Sequence, residues 1–203
     1  MNLYISKLLF AFFLFTASNS IGQNSISHTD KNSDNTTNKH INEIKEIGKL
    51  IDKTNQIKFS QPEKSLKFSE KAFEIAKQIK DDTLIAITCF EVGSSWYMMA
   101  EHSQAMKFYL QSLDYSEKCG HTITECRSAQ YIGVIYGYQH NYKQALYYLN
   151  KSNDCLISLG DSILIGSNMN FIAWIYSEQN KYAEAIQIGE KAKSYIKGDH
   201  TFN

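Results

Sequence analysis

One feature limits what this chain can fold into more than any other: an internal period of 40 residues. EVGSSWYMMAEHSQAMKFYLQS from Glu91 lines up without insertion with YIGVIYGYQHNYKQALYYLNKS from Tyr131 and FIAWIYSEQNKYAEAIQIGEKA from Phe171. Small residues recur at Gly93, Gly133 and Ala173, large aromatics at Trp96, Tyr136 and Tyr176, and alanine at Ala105, Ala145 and Ala185. A fixed period of this length marks an array of supersecondary units, each burying its apolar face against its neighbours. Within a block, Val92, Trp96 and Met99 form one stripe at helical spacing, and Ala105, Phe108, Tyr109 and Ser112 form a second. Each unit is therefore predicted to be an antiparallel helical hairpin turning at the short polar segments AEHS, QHNY and QNKY. Gly93 and Ala105, one on each helix, are expected to let the two backbones approach while Trp96 fills the space alongside.

A divergent copy precedes these blocks. Ser65 stands at the alanine position and Phe68 at that of Phe108 and Tyr148. Pro62, in FSQPEKS, suits the first position of a helix. Ile41, Ile44, Ile47 and Ile51 mark this copy's first helix, with Asp52 and Lys53 where the other copies carry apolar and small residues. Between units, Gly120 and Gly160 read as helix stops and Asp81 and Asp161 as caps, with His121 in the same slot. The expected fold is all-α: an α-solenoid of about four helix-turn-helix repeats over residues 41–198, divided as 41–80, 81–120, 121–160 and 161–198. A content of 43% hydrophobic residues supplies its core.

The N-terminus has a different character. MNLYISKLLFAFFLFTASNSIGQ carries one lysine, an apolar run from Leu8 to Phe15, then small residues, with Ser20 and Gly22 suited to cleavage before Gln23. Residues 1–22 thus read as a secretory signal peptide, the apolar run falling well short of the ~20 residues that span a bilayer. Export to the periplasm or beyond is expected, with no stable membrane span after cleavage; an uncleaved N-terminal anchor is the alternative. Residues 23–40 have Ile26 as their only apolar residue and read as a disordered polar leader. Residues 199–203 read as a tail or an interrupted further repeat.

Charge argues against polyanionic partners. The chain has 21 basic and 21 acidic side chains, and removing residues 1–22 takes away Lys7 alone. Neither an excess nor a cluster of basic residues is present to displace counterions from nucleic acid. The nearest approach to reactive chemistry is KCGHTITECR, where Cys119, His121, Glu125 and Cys126 fall close together. Their spacing matches no usual zinc set. In register, Cys119 aligns with Ile79 and Leu159, and Cys126 with Ala86 and Gly166, so both read as small buried residues at a junction. A Cys119–Cys126 disulfide across the turn is the other possibility in an oxidising compartment. No catalytic motif, cofactor site or metal site is evident, and the chain reads as non-enzymatic.

The pattern of apolar, small and aromatic residues, with Tyr142 or Tyr182 just before Ala145 or Ala185, resembles the tetratricopeptide repeat in a long-period form. The resemblance covers about residues 41–198 and includes the junctions LGDS, CGHT and IKDD. Two departures stand out: no proline closes the repeats, and Gly189 replaces the residue found as Tyr109 and Leu149. The resemblance implies a right-handed superhelix whose inner surface is lined by the first helix of each repeat. By register that face comprises Ile87, Phe90, Ser94, Tyr97 and Met98; Arg127, Gln130, Val134, Gly137 and Tyr138; and Ser167, Asn170, Trp174, Ser177 and Glu178. The aromatic residues are candidate anchors, Arg127 a candidate partner for a carboxylate, and Gln130 and Asn170 candidate contacts to peptide backbone. The implied function is a protein- or peptide-binding scaffold. The alternative is the extracytoplasmic sensor portion of a two-component histidine kinase or transcriptional regulator, since similar arrays occur there. KGDH at Lys197–His200 repeats the junction signature near the end. Ile186, Tyr195 and Ile196 are accordingly expected to lack a covering neighbour, which a longer chain, a partner or a homo-oligomer would supply.

Overall fold

Helical hairpins follow one another along the chain because each repeats the same local instructions. The computed structural model describes residues 31–197, which form α1 (Lys31–Ile57), α2 (Pro62–Ile79), α3 (Asp82–Met98), α4 (His102–Cys119), α5 (Thr122–Tyr138), α6 (Tyr142–Leu159), α7 (Ser162–Glu178) and α8 (Tyr182–Lys197). No strand occurs among the described residues. The expected signal peptide, most of the leader and the tail lie outside them. Within the leader, α1 begins at Lys31, ahead of the expected start at residue 41. Once the isoleucine-rich part has nucleated a helix, extending it by a few polar residues requires little further free energy. From Lys39 onward the described residues form one compact unit.

Between hairpins, α2, α4 and α6 end on left-handed residues: Lys80 (φ 62°), Gly120 (φ 72°) and Gly160 (φ 70°). Asp81 then accepts a hydrogen bond from the Leu84 N–H at 2.9 Å, and Asp161 one from Leu164 at 3.0 Å, as cap residues do. His121 occupies the same slot without capping the backbone; its Nδ1 bonds Thr124 Oγ1 at 2.8 Å. Burial pushes its imidazole below the usual range.

Within hairpins the turns share one geometry. The N–H groups of Glu101, Asn141 and Lys181 donate to the carbonyls of Trp96, Tyr136 and Tyr176 at 3.1, 2.9 and 2.9 Å. The residue before each donor is left-handed: Ala100 (φ 59°), His140 (φ 57°) and Asn180 (φ 60°). These are six-residue helix-terminating loops of the kind that normally favours glycine, here closed by residues with a Cβ.

Two rows of small residues hold each pair of helices together. A Cβ on Gly133 would stand 3.0 Å from the Ala145 carbonyl oxygen and 3.1 Å from the Leu149 nitrogen, so α5 and α6 approach backbone to backbone here. Gly93 differs from the expectation that it opposes Ala105. A Cβ there would meet the Tyr109 ring at 2.9 Å, so this glycine makes room for a buried aromatic. In the second row, Ser112, Ser152 and Ala192 are fully buried. Ser112 Oγ donates to the Ala86 carbonyl at 2.8 Å and accepts from Ser128 Oγ at 2.9 Å, joining α3, α4 and α5. One repeat later Asn168 Nδ2 donates to the Leu149 carbonyl at 2.9 Å, joining α7 to α6. In the divergent first hairpin, buried Ser65 bonds Ser95 Oγ at 3.0 Å, so a hydroxyl contact replaces the alanine packing of later copies.

Apolar cores lie between these layers and mix successive hairpins. Ile47, Leu50, Ala72, Ala76, Ile85 and Cys89 form one cluster. Val134, Ala145, Leu149, Ile172 and Ile175 form another, and Cys126, Leu156, Ile165, Met169 and Ala192 a third. On α8, Ile186 and Ile196 are exposed as expected. Tyr195 is instead half-buried against the Cys126 cluster, because it turns toward α7.

The cysteine pairing corrects the 119–126 alternative: the disulfide joins Cys126 to Cys155, with Cα atoms 5.5 Å apart. Cys126 is the fifth residue of α5 and Cys155 the fifth from the end of α6, so antiparallel packing sets them opposite each other. Cys119 ends α4, remains free and donates to the Ser116 carbonyl at 3.7 Å. Cys89 is buried, and burial pushes its thiol up to about 12, leaving it protonated and unreactive at neutral pH.

Gly133→Ala is expected to destabilise the protein by about 1–3 kcal/mol, since the new methyl group meets backbone that cannot yield. Ala100→Gly, which relieves a left-handed residue at the cost of a looser unfolded chain, is expected to stabilise it by about 0.5–1 kcal/mol. Chemical denaturation of both variants checks the pair. For the cross-link, whose cysteines are 29 residues apart, loop-closure entropy gives a stabilisation of about 3–4 kcal/mol. Cys155→Ser is expected to lose this in oxidising buffer and to match the wild type under reductant. Unreduced peptide mapping should recover the 126–155 link with Cys89 and Cys119 as thiols.

Candidate protein-binding groove

The first helices of the second, third and fourth hairpins, α3, α5 and α7, supply the face singled out by register. Steps of three and four residues keep each helix's contribution on one side. Burial divides that set. Phe90 and Ser94 are buried at 3% and 4% exposure, and both belong to packing. The Phe90 ring lies 5.5 Å from that of Tyr109 and 5.7 Å from that of Tyr131, while Ser94 Oγ donates to the Phe90 carbonyl and accepts from the Tyr109 hydroxyl. Gln130 is buried as well, although its Nε2 has no hydrogen-bond partner. These three residues therefore support the face from below.

What remains accessible forms a row across three repeats. Tyr138 is 48% exposed, Asn170 and Glu178 are exposed, and Tyr97, Met98, Arg127 and Trp174 are half-buried. Tyr97 on α3 and Tyr138 on α5 share a hydroxyl hydrogen bond of 3.4 Å, and the Tyr138 and Trp174 rings stand 5.1 Å apart, bridging to α7. Trp174 Nε1 donates to Glu178 Oε1 at 3.1 Å, one turn further along α7. His102, the first residue of α4, stacks on Tyr138 at 5.1 Å and 15°. Burial, with the bonded Tyr138 hydroxyl as a second cause, raises the Tyr97 phenol above its usual range, so it stays a neutral donor.

Gly137 explains how Trp174 reaches this row. A Cβ there would lie 2.6 Å from the Trp174 ring and 2.5 Å from Ile175 Cδ1, so the indole rests directly on the α5 backbone. Sequence register placed Gly137 on the face but gave it no task.

Toward the first hairpin the face becomes charged. The Arg127 guanidinium lies over the Phe90 ring at 4.3 Å. Burial lowers the Lys58 ammonium below its usual range, partly opposed by the nearby Glu91 carboxylate and reinforced by Arg127. Glu91 is 4% exposed and its Oε2 has no hydrogen-bond partner. Neither Lys58 nor Glu91 was singled out from sequence, because both lie outside the five positions per repeat that register selects. Among the described residues, no group of three or more His, Cys, Asp and Glu side chains is placed to hold a metal ion. No helix among them is long and apolar enough to cross a membrane.

Residues 125–194 match the tetratricopeptide repeat family. No curated protein matches the chain. Among solved structures it is similar to BtubC (BKLC) from P. vanneervenii, with a TM-score of 0.61 and 12% identity over 70% of this chain and 59% of that protein. It is also similar to the apo form of RapI, with a TM-score of 0.53 and 18% identity over 75% of this chain and 67% of RapI. The chain thus spans less than two thirds of the length of BtubC, and at these identities the likeness is one of fold. Residues 125–194 thus match the tetratricopeptide repeat family, and the hairpins before them continue the same 40-residue register in one solenoid of helical pairs.

Proposed function

We propose that this protein is an exported adaptor of the periplasm or cell envelope, holding an extended peptide or helix of a partner protein along the face of α3, α5 and α7. Tetratricopeptide repeats are in general non-catalytic scaffolds for protein interaction. The observation that carries the reading here is the accessible row of Tyr97, Tyr138, Asn170, Trp174 and Glu178, with Arg127 beyond it, crossing three successive repeats. Aromatic and arginine side chains on rigid helices are the residues that dominate interface energetics. An exposed amide such as Asn170 supplies hydrogen bonds to a peptide backbone. Two further features support export: the apolar run and small residues of the N-terminus, and the Cys126–Cys155 disulfide, which suits an oxidising compartment.

Crosslinking capture from the envelope fraction tests the reading. Replacing Arg127, Asn170 and Trp174 together with alanine is expected to abolish capture. A single hot-spot loss of about 2 kcal/mol already weakens binding roughly thirtyfold. Circular dichroism of the triple variant should remain helical, and unchanged capture would remove the groove from the account. Gly137→Ala displaces the Trp174 indole without altering any contact residue. It is expected to shift tryptophan emission and to weaken capture several-fold.

A further inference from the structure

We infer that the aromatic station formed by Tyr97, Tyr138 and Trp174, with Glu178 at its edge, receives a positively charged side chain, arginine or lysine, from an extended segment of the partner protein. This rests on the proposed partner-binding role of the face and gives that role a charge preference.

Elsewhere in the chain, aromatic rings are paired with cations. Phe59, Phe68, Phe73, Phe90, Phe108, Tyr115 and Tyr176 each have a lysine or arginine of the chain itself over the ring at 4.3–5.9 Å. Such pairs form because the π face is electron-rich and attracts a cation. The three rings of the station have no such cation among the described residues, although they are clustered and Tyr138 is 48% exposed. One face of Tyr138 is stacked by His102, which leaves the remainder, bounded by Trp174, as the open seat.

Glu178 adds a full negative charge to that seat. Its Oε1 accepts the Trp174 indole N–H at 3.1 Å, which fixes the carboxylate at the ring edge, and no lysine or arginine among the described residues forms an ion pair with it. The Tyr97 hydroxyl donates to that of Tyr138, leaving the acceptor lone pairs of Tyr97 and the second lone pair of Tyr138 to a cationic donor. Electron-rich faces, the carboxylate at the Trp174 edge and the hydroxyl acceptors of Tyr97 and Tyr138 follow one another along the same row. A guanidinium or ammonium group satisfies all of them, whereas a carboxylate or an aliphatic side chain satisfies few.

Arg127 does not fill the seat itself. It lies over Phe90 and stands eleven residues before Tyr138 on α5, about 16 Å along the axis at 1.5 Å per residue. The face therefore offers two stations of opposite preference, cationic at Arg127 and electron-rich at Tyr138, and a segment lying across it is read in one orientation.

The test uses the full chain carrying Trp96→Phe, so that Trp174 is its sole tryptophan, with circular dichroism confirming the fold. Its emission is followed during titration with a capped Gly-Ser-Arg-Ser-Gly peptide and with counterparts carrying neutral citrulline or glutamate in place of arginine. The expected result is saturable quenching by the arginine peptide. Half-saturation should be about tenfold weaker for citrulline and for the Glu178→Gln or Tyr138→Ala protein. Glutamate should leave the emission unchanged. Equal response to arginine and citrulline, or an unaffected Glu178→Gln variant, overturns the charge preference while leaving the groove in place. Absence of any saturable change with any peptide overturns the station. The capture experiment with the triple variant then decides separately whether the groove survives.

Discussion

Close approach of two helices within each hairpin is the constraint on which the rest of this structure depends. At Gly133 the α5 backbone comes so near α6 that an added methyl group would stand 3.0 Å from a carbonyl oxygen. At Ser112 a side-chain hydroxyl spans the gap from α4 to a backbone carbonyl of α3 in 2.8 Å. Helices held this close cannot both carry large side chains where they face each other, so glycine, alanine and serine recur there, and a large residue such as Tyr109 or Leu149 is admitted only opposite a glycine. Large residues are displaced to the flanks, where they pack against the next hairpin. The repeat-to-repeat cores, and ultimately the row of rings on the first helices, follow from that displacement.

Polar groups reinforce the stacking without loosening it. Ser128 and Asn168 stand at equivalent positions, and each reaches back to the helix before it, one through the Ser112 hydroxyl and the other to the Leu149 carbonyl. Buried polar side chains with such partners stabilise modestly but fix one arrangement, because a shift in stacking would leave them unpaired in a dry interface. The disulfide between Cys126 and Cys155 acts within a hairpin rather than between hairpins. It ties the open end of α5 and α6, opposite their turn, where fraying would otherwise begin.

The accessible face inherits its chemistry from this frame. Trp174 rests on α5 only because Gly137 has no side chain, and Tyr138 keeps 48% exposure although His102 stacks on one of its faces and Trp174 borders it. The charged end is built differently, from Arg127 over Phe90 and the buried Glu91 near Lys58. Along the row, rings give way to charged groups toward the first hairpin.

The sequence by itself determined the all-helical class, the period, the hairpin turns and the helix caps. Each is a short-range matter of spacing and backbone preference, expressed within a few residues of Pro62, Asp81, Gly120 or Asp161. The resemblance to the tetratricopeptide repeat pointed to the helices proposed to carry the face, and register gave the side of each helix that a residue occupies. Only the tertiary structure decided which residues of that face are open. Phe90, Ser94 and Gln130 share the register of accessible neighbours yet are buried, because burial depends on the side chains of the next repeat and these differ from copy to copy. It alone decided the cysteine pairing too. Cys119 is nearer to Cys126 along the chain, but antiparallel packing sets Cys155 opposite, and a disulfide follows distance in space rather than in sequence.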